Sequence, residues 1–424
     1  MKPQLIKSET GPAWTGAEKW VFRWVFGFVV LFMLTLPFPH PLIPDLPGLF
    51  APVFESLAAF TGHTVFGISR PFVSRLISDS TGLYLHVINL LVISLLIAFT
   101  WGRADRKTLS YHRLLYWFRV IAAYYLAYFM LVYGFNKVFK WQFYIPEPNT
   151  LYTTVGETYR DILYWSTMGT SHSYNVFLGG AELVAAFLLF FKRSRLAGAL
   201  FAAALMLNIL MINLSFNINV KLFSSFLLIL CLVLIVPEWR RLARFFFQRR
   251  EQTGRHPWEP VYARKQTKRV YLVVKTVLLC WLLASTLFVY VKTGNYNDDL
   301  DPRPPFHGAW EVTNFIKNND TLPPLLNDKT RWKRVFVHRK GYLIIQGMND
   351  GMQDFTLITD TLLHRWLARD EAGKEVLDIR YEKKTDSLMS LFTTIGRDSI
   401  QADIRRLDWR ALPVMKKEFE FSVD

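Results

Sequence analysis

The chain has 424 residues, of which 51% are hydrophobic and 16% aromatic. Its length would suit two or three soluble domains, but so apolar a composition indicates a membrane protein. The net charge of +16 could suggest nucleic-acid binding, but residues 294–424 hold 20 basic and 21 acidic residues, so the excess lies in the rest of the chain, where it follows the loops. No nucleic-acid partner is therefore expected. The two cysteines, Cys231 and Cys280, form no CxxC motif and no disulfide framework.

Long apolar stretches begin close to the N-terminus. The first is too long for a removable signal peptide and has no clear cleavage site after it. Each stretch has about 17–24 residues, enough to cross a hydrocarbon core of roughly 30 Å. The sequence therefore predicts a polytopic helical membrane protein with about seven spans, at residues 18–38, 82–101, 114–137, 175–191, 196–213, 219–236 and 271–291.

Basic residues alternate between the predicted loops. The N-terminal segment, loop 102–113, turn 192–195 and segment 237–270 are rich in Lys and Arg, whereas the loops between them are poor in both. Short basic loops stay in the cytoplasm. This pattern predicts a membrane protein with its N-terminus inside and its C-terminus outside. Segment 237–270, which contains RRLARFFFQRR and ten basic residues, is expected to lie along the membrane surface and contact anionic lipid.

Within the outer loop 39–81, the stretch LFAPVFESLAAF is expected to form a short interfacial helix. After the last span, short segments of alternating polarity are separated by breaks such as RKG, NDG and GRD. Some eight strands over about 115 residues predict an extracytoplasmic antiparallel barrel or sandwich. Its opening, GAW at 308–310, is similar to the G-x-W start of lipocalin-like barrels. Lipocalin-like closure and another antiparallel arrangement both remain open.

Polar residues in the apolar segments are expected to lie near the outer membrane surface. Glu182 stands alone in VFLGGAELVAAFLLFF, about seven residues into its helix and so roughly 10 Å deep. Because a carboxylate at that depth costs several kcal/mol, it needs a partner or a function. The expected cluster brings Glu182 and Lys137 together with the ligand-binding candidates Tyr133, Asn136, Trp141, Asn208, Asn213, Asn217 and Lys221.

Three explanations compete for this cluster. It can be structural, with Glu182 paired to Lys137 or Lys221 and the asparagines joining helices. It can bind a quinone-like molecule or a lipid head group, or it can line a substrate or ion path. Nothing polar continues through the inner half of the neighbouring segments, which disfavours transport. His172 and His86, near the outer ends of two segments, are candidates for proton exchange or are merely solvated.

The segments FMLVYGFNKVF (129–139) and FLGGAELVAAFLLFFKRSRLAGALFAAALMLN (177–208) resemble the DoxX/DoxD family of bacterial inner-membrane proteins. The resemblance covers about residues 114–236. It implies a four-helix membrane module associated with redox chemistry, because members include quinone-reducing thiosulfate oxidoreductase subunits and partners in thiol-oxidant defence. Residue by residue it carries over Lys137, Glu182 and the basic turn Arg193/Arg195.

The chain departs from the small family members by its additional spans, its external β-domain and its lack of a cysteine pair. A more remote resemblance is to the HTTM region of vitamin K-dependent carboxylase-like proteins. That region has the pattern G-x-x-K-x-x-x-W, matched here by Gly134, Lys137 and Trp141. In such a protein Lys137 would be a candidate catalytic base beside a quinol.

These observations predict a quinone- or lipid-interacting, redox-associated membrane subunit, in which Glu182 handles protons and Lys137 binds an oxygen of the ligand. If it is an enzyme, it is expected to be a membrane oxidoreductase or a subunit of one, with quinone as the candidate cofactor. The alternative is a non-catalytic anchor or scaffold whose β-domain binds a partner protein or small ligand. The predicted regions are 1–113 (two spans and an interfacial loop), 114–236 (DoxX-like bundle), 237–270 (basic cytoplasmic linker), 271–293 (last span) and 294–424 (β-domain).

Overall fold

The computed structural model describes residues 13–36, 42, 44–248, 260, 264–370 and 372–416. The chain forms two compact units. The helical unit comprises Met1–Val138 and Phe177–Tyr296, and the β unit comprises Phe139–Val176 and Asn297–Asp424. Parts of two predicted segments, residues 37–38 of the first span and 249–259 and 261–263 of the basic linker, lie outside the described residues.

Helices account for most of the described part of the helical unit. Local signals start several of them: Thr15 and Glu18 form a reciprocal capping box at the first helix, and the Ser80 hydroxyl accepts from Leu83 N at the third. The α-helices of the described residues, in both units, are α1 (Gly16–Thr35), α2 (Leu46–Phe60), α3 (Thr81–Ala104), α4 (His112–Val138), α5 (Pro148–Leu151), α6 (Arg160–Thr170), α7 (His172–Phe190), α8 (Arg195–Ser215), α9 (Lys221–Ile235), α10 (Trp239–Gln248) and α11 (Lys265–Thr293).

Six helical stretches of the described residues are long and apolar enough to cross a membrane. They are Thr81–Ala104, His112–Val138, His172–Phe190, Arg195–Ser215, Lys221–Phe247 and Lys265–Leu300. This confirms the polytopic helical membrane region. The remaining predicted span corresponds to α1, which at 20 residues is about 30 Å long but has Glu18, Lys19 and Arg23 near its start. That α1 also crosses remains a prediction.

One continuous apolar core joins the helices of this unit. Small residues let neighbouring helices pack closely, and Ala122, Ala123 and Ala127 of α4 are fully buried. Phe32 of α1 stacks on Phe226 of α9, with ring centroids 4.0 Å apart. The predicted helix in LFAPVFESLAAF is present as part of α2 and continues into a short π-helix, Thr61–Val65.

The β unit contains a closed antiparallel barrel of eight strands with a short ninth strand paired to its first. β1 pairs with both β2 and β3, each strand from β3 to β8 pairs with the next, and β1 also pairs with β9 to close the barrel. This confirms the predicted antiparallel β-barrel. The strands are β1 (Gly308–Lys317), β2 (Asp320–Thr321), β3 (Trp332–His338), β4 (Tyr342–Gly347), β5 (Met352–Asp360), β6 (Arg365–Arg369), β7 (Glu375–Lys383), β8 (Leu388–Ile395) and β9 (Asp398–Leu407).

Alternate residues of the strands fill the barrel interior. Val335 and Val337 of β3 and Leu343 and Ile345 of β4 lie in one core with Trp310, which is buried. Trp310 Nε1 donates to Phe306 O at 3.0 Å. The alternating polarity of these two segments therefore corresponds to alternate residues that point into the barrel.

A second apolar cluster lies on the other face of the same strands. Phe336 and Ile344 are buried there, although the alternation alone predicts an exposed face. They pack with Ile145, Leu151 and Tyr152 of the segment between α4 and α7, and with Trp409, Leu412 and Met415 after β9. This explains why residues 139–176 belong to the β unit, although they precede the barrel by more than 120 residues.

Candidate functional site in the helical unit

Two glycines bring α4 and α7 into close contact. A Cβ atom built on Gly179 would lie 2.5 Å from Gly134 O and 2.8 Å from Val138 Cγ2, and one built on Gly134 would lie 3.0 Å from Gly179 O. Any larger residue at Gly179 would force the two backbones apart. The glycines of YGFNK and FLGGAE therefore position the charged residue that follows each of them, three residues later along the helix.

Lys137 and Glu182 form a buried ion pair at this crossing. Lys137 Nζ lies 2.8 Å from Glu182 Oε1 and 2.9 Å from Oε2, so the ammonium group reaches both carboxylate oxygens. Lys137 is 5% exposed and Glu182 2% exposed. The contact that the sequence predicted for Glu182 is thus made with the first of its two candidate partners.

Tyr133 lies one helical turn before Lys137 on α4, and its ring centroid is 5.6 Å from Lys137 Nζ. An aromatic ring at this distance attracts the ammonium group and adds a polar hydroxyl to the surroundings of the ion pair. The last aromatic candidate, Trp141, belongs to the β unit and is half-buried there.

The other amide and ammonium candidates form separate contacts. Asn136 Oδ1 accepts from the Tyr290 hydroxyl of α11 at 2.6 Å. Asn213 Nδ2 of α8 donates to Ser224 Oγ of α9 at 3.0 Å.

Lys221 pairs with Asp79 at the start of α9. Its Nζ lies 3.5 Å from Asp79 Oδ2, and the Asp79 carboxylate also accepts from the backbone N of Lys221 at 2.8 Å and of Leu222 at 3.1 Å. Asp79 therefore caps α9, since it satisfies two of the amides that a helix start leaves unpaired. Both the backbone N and the side-chain Nζ of Lys221 therefore bind Asp79.

Asn208 and Asn217 are both exposed on the surface of the helical unit. Asn217 has a φ of +55°, in the left-handed region that asparagine tolerates, and lies in the turn between α8 and α9. The predicted polar cluster therefore resolves into an ion pair, three separate inter-element contacts and two exposed amides.

Three partners of these residues were not predicted from the sequence: Asp79, Ser224 and Tyr290. Asp79 is an acidic residue just before α3, and Tyr290 is the next-to-last residue of the last apolar segment. The position of each polar residue near the end of an apolar segment indicates that it lies close to the membrane surface. The sequence does not show which helix it contacts there.

Three further residues singled out from the sequence, Arg193, Arg195 and His172, lie near the two ends of α7. Arg195 Nε donates to Leu189 O at 3.3 Å, which closes the turn between α7 and α8, while Arg193 is exposed. His172 is exposed at the start of α7. Among the described residues there is no group of three His, Cys, Asp or Glu side chains that could hold a metal ion.

The β unit has a buried ionic group of its own. Glu147 is 4% exposed and accepts from His307 Nε2 at 3.0 Å and from Arg339 N at 3.2 Å, with His338 Nε2 3.9 Å away. Burial raises the pKa of the Glu147 carboxyl, but the His307 hydrogen bond and the charges of His338 and His307 outweigh it and hold the pKa below its usual value. Burial likewise lowers the pKa of His338. This group ties the 139–176 segment to the barrel.

Part of this chain is similar to a known protein. The chain matches no protein-family profile and no solved structure. It is 32% identical over 145 residues to the uncharacterized protein YwoB of Bacillus subtilis (strain 168), a match that covers 86% of that protein and 34% of this chain. At this identity and coverage of the relative, the chain belongs to the same family as YwoB.

Proposed function

We propose that this protein is a DoxX-like, redox-associated subunit of the bacterial inner membrane that binds a quinone or a lipid head group beside Lys137 and Glu182. The observation that supports the proposal is the ion pair itself. Both charged groups are buried in a unit built of apolar helices, and they meet at a helix crossing that two glycines make unusually close. Charged pairs at such positions are costly and typically mark functional sites in membrane proteins.

The pair has the chemistry that a quinone site requires. The Glu182 carboxylate can take up or release a proton, and the Lys137 ammonium group can donate a hydrogen bond to a carbonyl or anionic oxygen. Because the two charges cancel, a proton can move between them without placing a net charge in the bilayer. Tyr133, a predicted ligand-binding residue, lies with its ring beside the Lys137 ammonium group.

The location of the protein follows from the loop charges and is part of this proposal. The basic segments 102–113 and 237–270 are assigned to the cytoplasm and the β unit to the outer side. In α10, Arg240, Arg241 and Arg244 are exposed together with Trp239 and Phe245–Phe247. A helix that carries both arginines and large aromatics on its surface suits the interface of an anionic bilayer.

Binding is tested with full-length protein purified in mild detergent. Organic extraction and mass spectrometry should find a quinone bound to the wild type, and a short-chain ubiquinone analogue should quench tryptophan fluorescence on titration. Glu182→Gln keeps the size and hydrogen-bonding capacity of the side chain while removing its charge, and should weaken analogue binding at least tenfold. Ser215→Ala, an exposed site at the end of α8, is the control and should bind as the wild type does.

A lipid head group is distinguished in the same extract. Retention of a defined phospholipid class by the wild type, lost in Glu182→Gln and with no response to the quinone analogue, would assign the ligand to lipid. If neither a quinone nor a lipid differs between wild type and variant, the binding proposal is wrong.

A second function, a non-catalytic anchor or scaffold, is favoured by a different observation. The barrel interior is filled by the buried side chains of its own strands, and the Lys137 and Glu182 charges satisfy each other. In this case the exchange Lys137→Glu/Glu182→Lys, which keeps the ion pair but reverses it, should restore the function lost in each single variant. Under the binding proposal the reversed pair stays inactive although it folds.

A further inference from the structure

A second group of buried polar side chains lies in the helical unit, where α1, the end of α2 and α3 meet. Its members are Thr35, Thr61, His86 and Asn89, which are between 0% and 8% exposed. The edge of Phe54 contacts the His86 ring, with ring centroids 5.0 Å apart. Neither the ion pair nor the polar contacts described above use any of these residues.

The Thr35 hydroxyl determines which nitrogen of His86 carries the hydrogen. Thr35 Oγ1 donates its single hydrogen to Leu31 O at 2.8 Å and lies 2.9 Å from His86 Nε2. It can therefore only accept from the imidazole, so Nε2 is the protonated nitrogen. In the neutral ring Nδ1 then has a lone pair, and this atom is buried without a hydrogen-bond partner among the described residues.

Asn89 lies three residues after His86, on the same face of α3. Thr61 Oγ1 lies 2.9 Å from both Leu57 O and Asn89 Oδ1 but has one hydrogen to donate. If that hydrogen goes to Leu57 O, the amide of Asn89 must turn to present Nδ2 to Thr61, which leaves Oδ1 free; otherwise Nδ2 is the free atom. Either orientation leaves one buried amide atom of Asn89 without a partner.

The backbone at this place is itself unusual. Thr61 begins the π-helix Thr61–Val65, and such single π turns occur frequently at functional sites. A Cβ atom built on the next residue, Gly62, would lie 2.5 Å from the Phe72 ring and 3.0 Å from Leu85 Cδ1, so the end of α2 approaches α3 closely. The π turn places the Thr61 hydroxyl against Asn89.

We propose that His86 and Asn89 form a binding site for a small O–H donor, held between α1, α2 and α3. Buried polar atoms in native proteins are nearly always paired, by protein or by an ordered molecule. The unpaired His86 Nδ1 requires a donor. If Asn89 Nδ2 is the free atom, it donates to the oxygen of the same O–H group; if Oδ1 is free, it needs a second hydrogen, which water has and a single hydroxyl lacks. The donor is either a buried water molecule or the hydroxyl of an amphipathic ligand such as a hydroquinone. The site is separate from Lys137 and Glu182.

The protonation and bonding of one imidazole nitrogen test the proposal. Full-length protein labelled with ¹⁵N-histidine is reconstituted into phospholipid bilayers, and solid-state NMR spectra are compared with those of His86→Gln to assign the His86 signals. The expected spectrum shows Nε2 protonated and Nδ1 unprotonated, with Nδ1 shifted upfield of a free imine nitrogen because it accepts a hydrogen bond. An Nδ1 at the free imine position, or a protonated Nδ1, would overturn the proposal.

Two further measurements keep the test decisive. Addition of a short-chain hydroquinone identifies the source of the hydroxyl: a further shift of Nδ1 assigns it to the ligand, and an unchanged signal assigns it to water. Thr35→Val removes the acceptor at Nε2 and should distribute the proton over both ring nitrogens. If His86→Gln does not fold, this variant assigns the His86 signal, because it perturbs that ring alone.

Discussion

Lys137 and Glu182 satisfy each other, and this sets the cost of removing either one. Replacing Lys137 by Met leaves a carboxylate 2% exposed without its cation. Breaking a buried pair in this way typically destabilises a protein by about 3–5 kcal/mol. The double variant Lys137→Met/Glu182→Met leaves no unpaired charge and should recover most of that loss. Thermal unfolding of the purified protein in detergent measures all three; equal stability of the single and double variants would show that the pair is not coupled.

The ionic group around Glu147 predicts a loss of β-unit stability in acid. The folded-state pKa values of Glu147 and His338 both lie below their usual values, so the unfolded chain binds more protons than the folded one as pH falls. Stability should decrease from about pH 6.5, where an unfolded histidine titrates, and further below about pH 4.3, where an unfolded glutamate does.

The unfolding of the barrel can be followed separately from that of the helices by the infrared amide I band of β-structure. Glu147→Gln should lower the unfolding temperature at pH 7, and its difference from the wild type should shrink below about pH 4. Glu157→Gln, an exposed site on the same segment, is the control and should follow the wild type. A Glu147→Gln deficit that stays constant with pH would contradict this assignment.

At the scale of elements, the crossing of α4 and α7 depends on one glycine and not on its neighbour. Gly179→Ala would place a Cβ 2.5 Å from Gly134 O, whereas Gly180 has nothing within 4 Å of its Cβ position. Gly179→Ala should separate the helices, weaken the Lys137–Glu182 contact and lower the unfolding temperature. Gly180→Ala should be neutral or slightly stabilising, since alanine favours a helix over glycine by about 0.5–1 kcal/mol. Equal effects of the two variants would contradict this account.

The same crossing shows which contacts a sequence can reveal. Glu182 is the only charge in an apolar run, so the sequence predicts a cationic partner for it. Lys137 lies at the end of the preceding predicted span and was a candidate for that partner. The partnership of Lys221 with Asp79 was not foreseeable, because it depends on how the loop before α3 folds back onto α9. Period-two alternation likewise identified the inward face of β3. It could not show that Phe336, on the outward face, is covered by a segment that precedes the barrel by more than 120 residues.

For the whole molecule, the membrane orientation remains a prediction from loop charge and can be measured alone. Single cysteines at Ser110, between α3 and α4, and at Ser387, between β7 and β8, are introduced into a Cys231→Ser/Cys280→Ser background. An impermeant maleimide applied to cells without an outer barrier should label Ser387→Cys and leave Ser110→Cys unlabelled until the cells are lysed. The reverse pattern would invert the topology. Labelling of both would show that one of the five predicted spans between the two sites, α4, α7, α8, α9 or α11, does not cross.

The β unit is built from two separate chain segments, so the barrel segment alone should fold but be less stable than the whole unit. The barrel closes by its own hydrogen bonds, so residues 297–416 expressed alone should give a β-type far-UV spectrum. That fragment, however, lacks Ile145, Leu151 and Tyr152, which cover Phe336 and Ile344, and it leaves His307 without Glu147. It should therefore bind a hydrophobic dye and melt at a lower temperature than a single chain in which residues 139–176 are joined to 297–416 by a flexible linker.

Burial of several large apolar side chains contributes roughly 1.5–3 kcal/mol each, so the difference in melting temperature should be several degrees or more. Glu147→Gln in the joined chain should remove part of the gain and leave the barrel spectrum unchanged, because that residue contacts the barrel without forming its strands. If the fragment and the joined chain melt at the same temperature, segment 139–176 does not stabilise the barrel. The burial of Phe336 would then have to come from Trp409, Leu412 and Met415 alone, since the fragment retains all three.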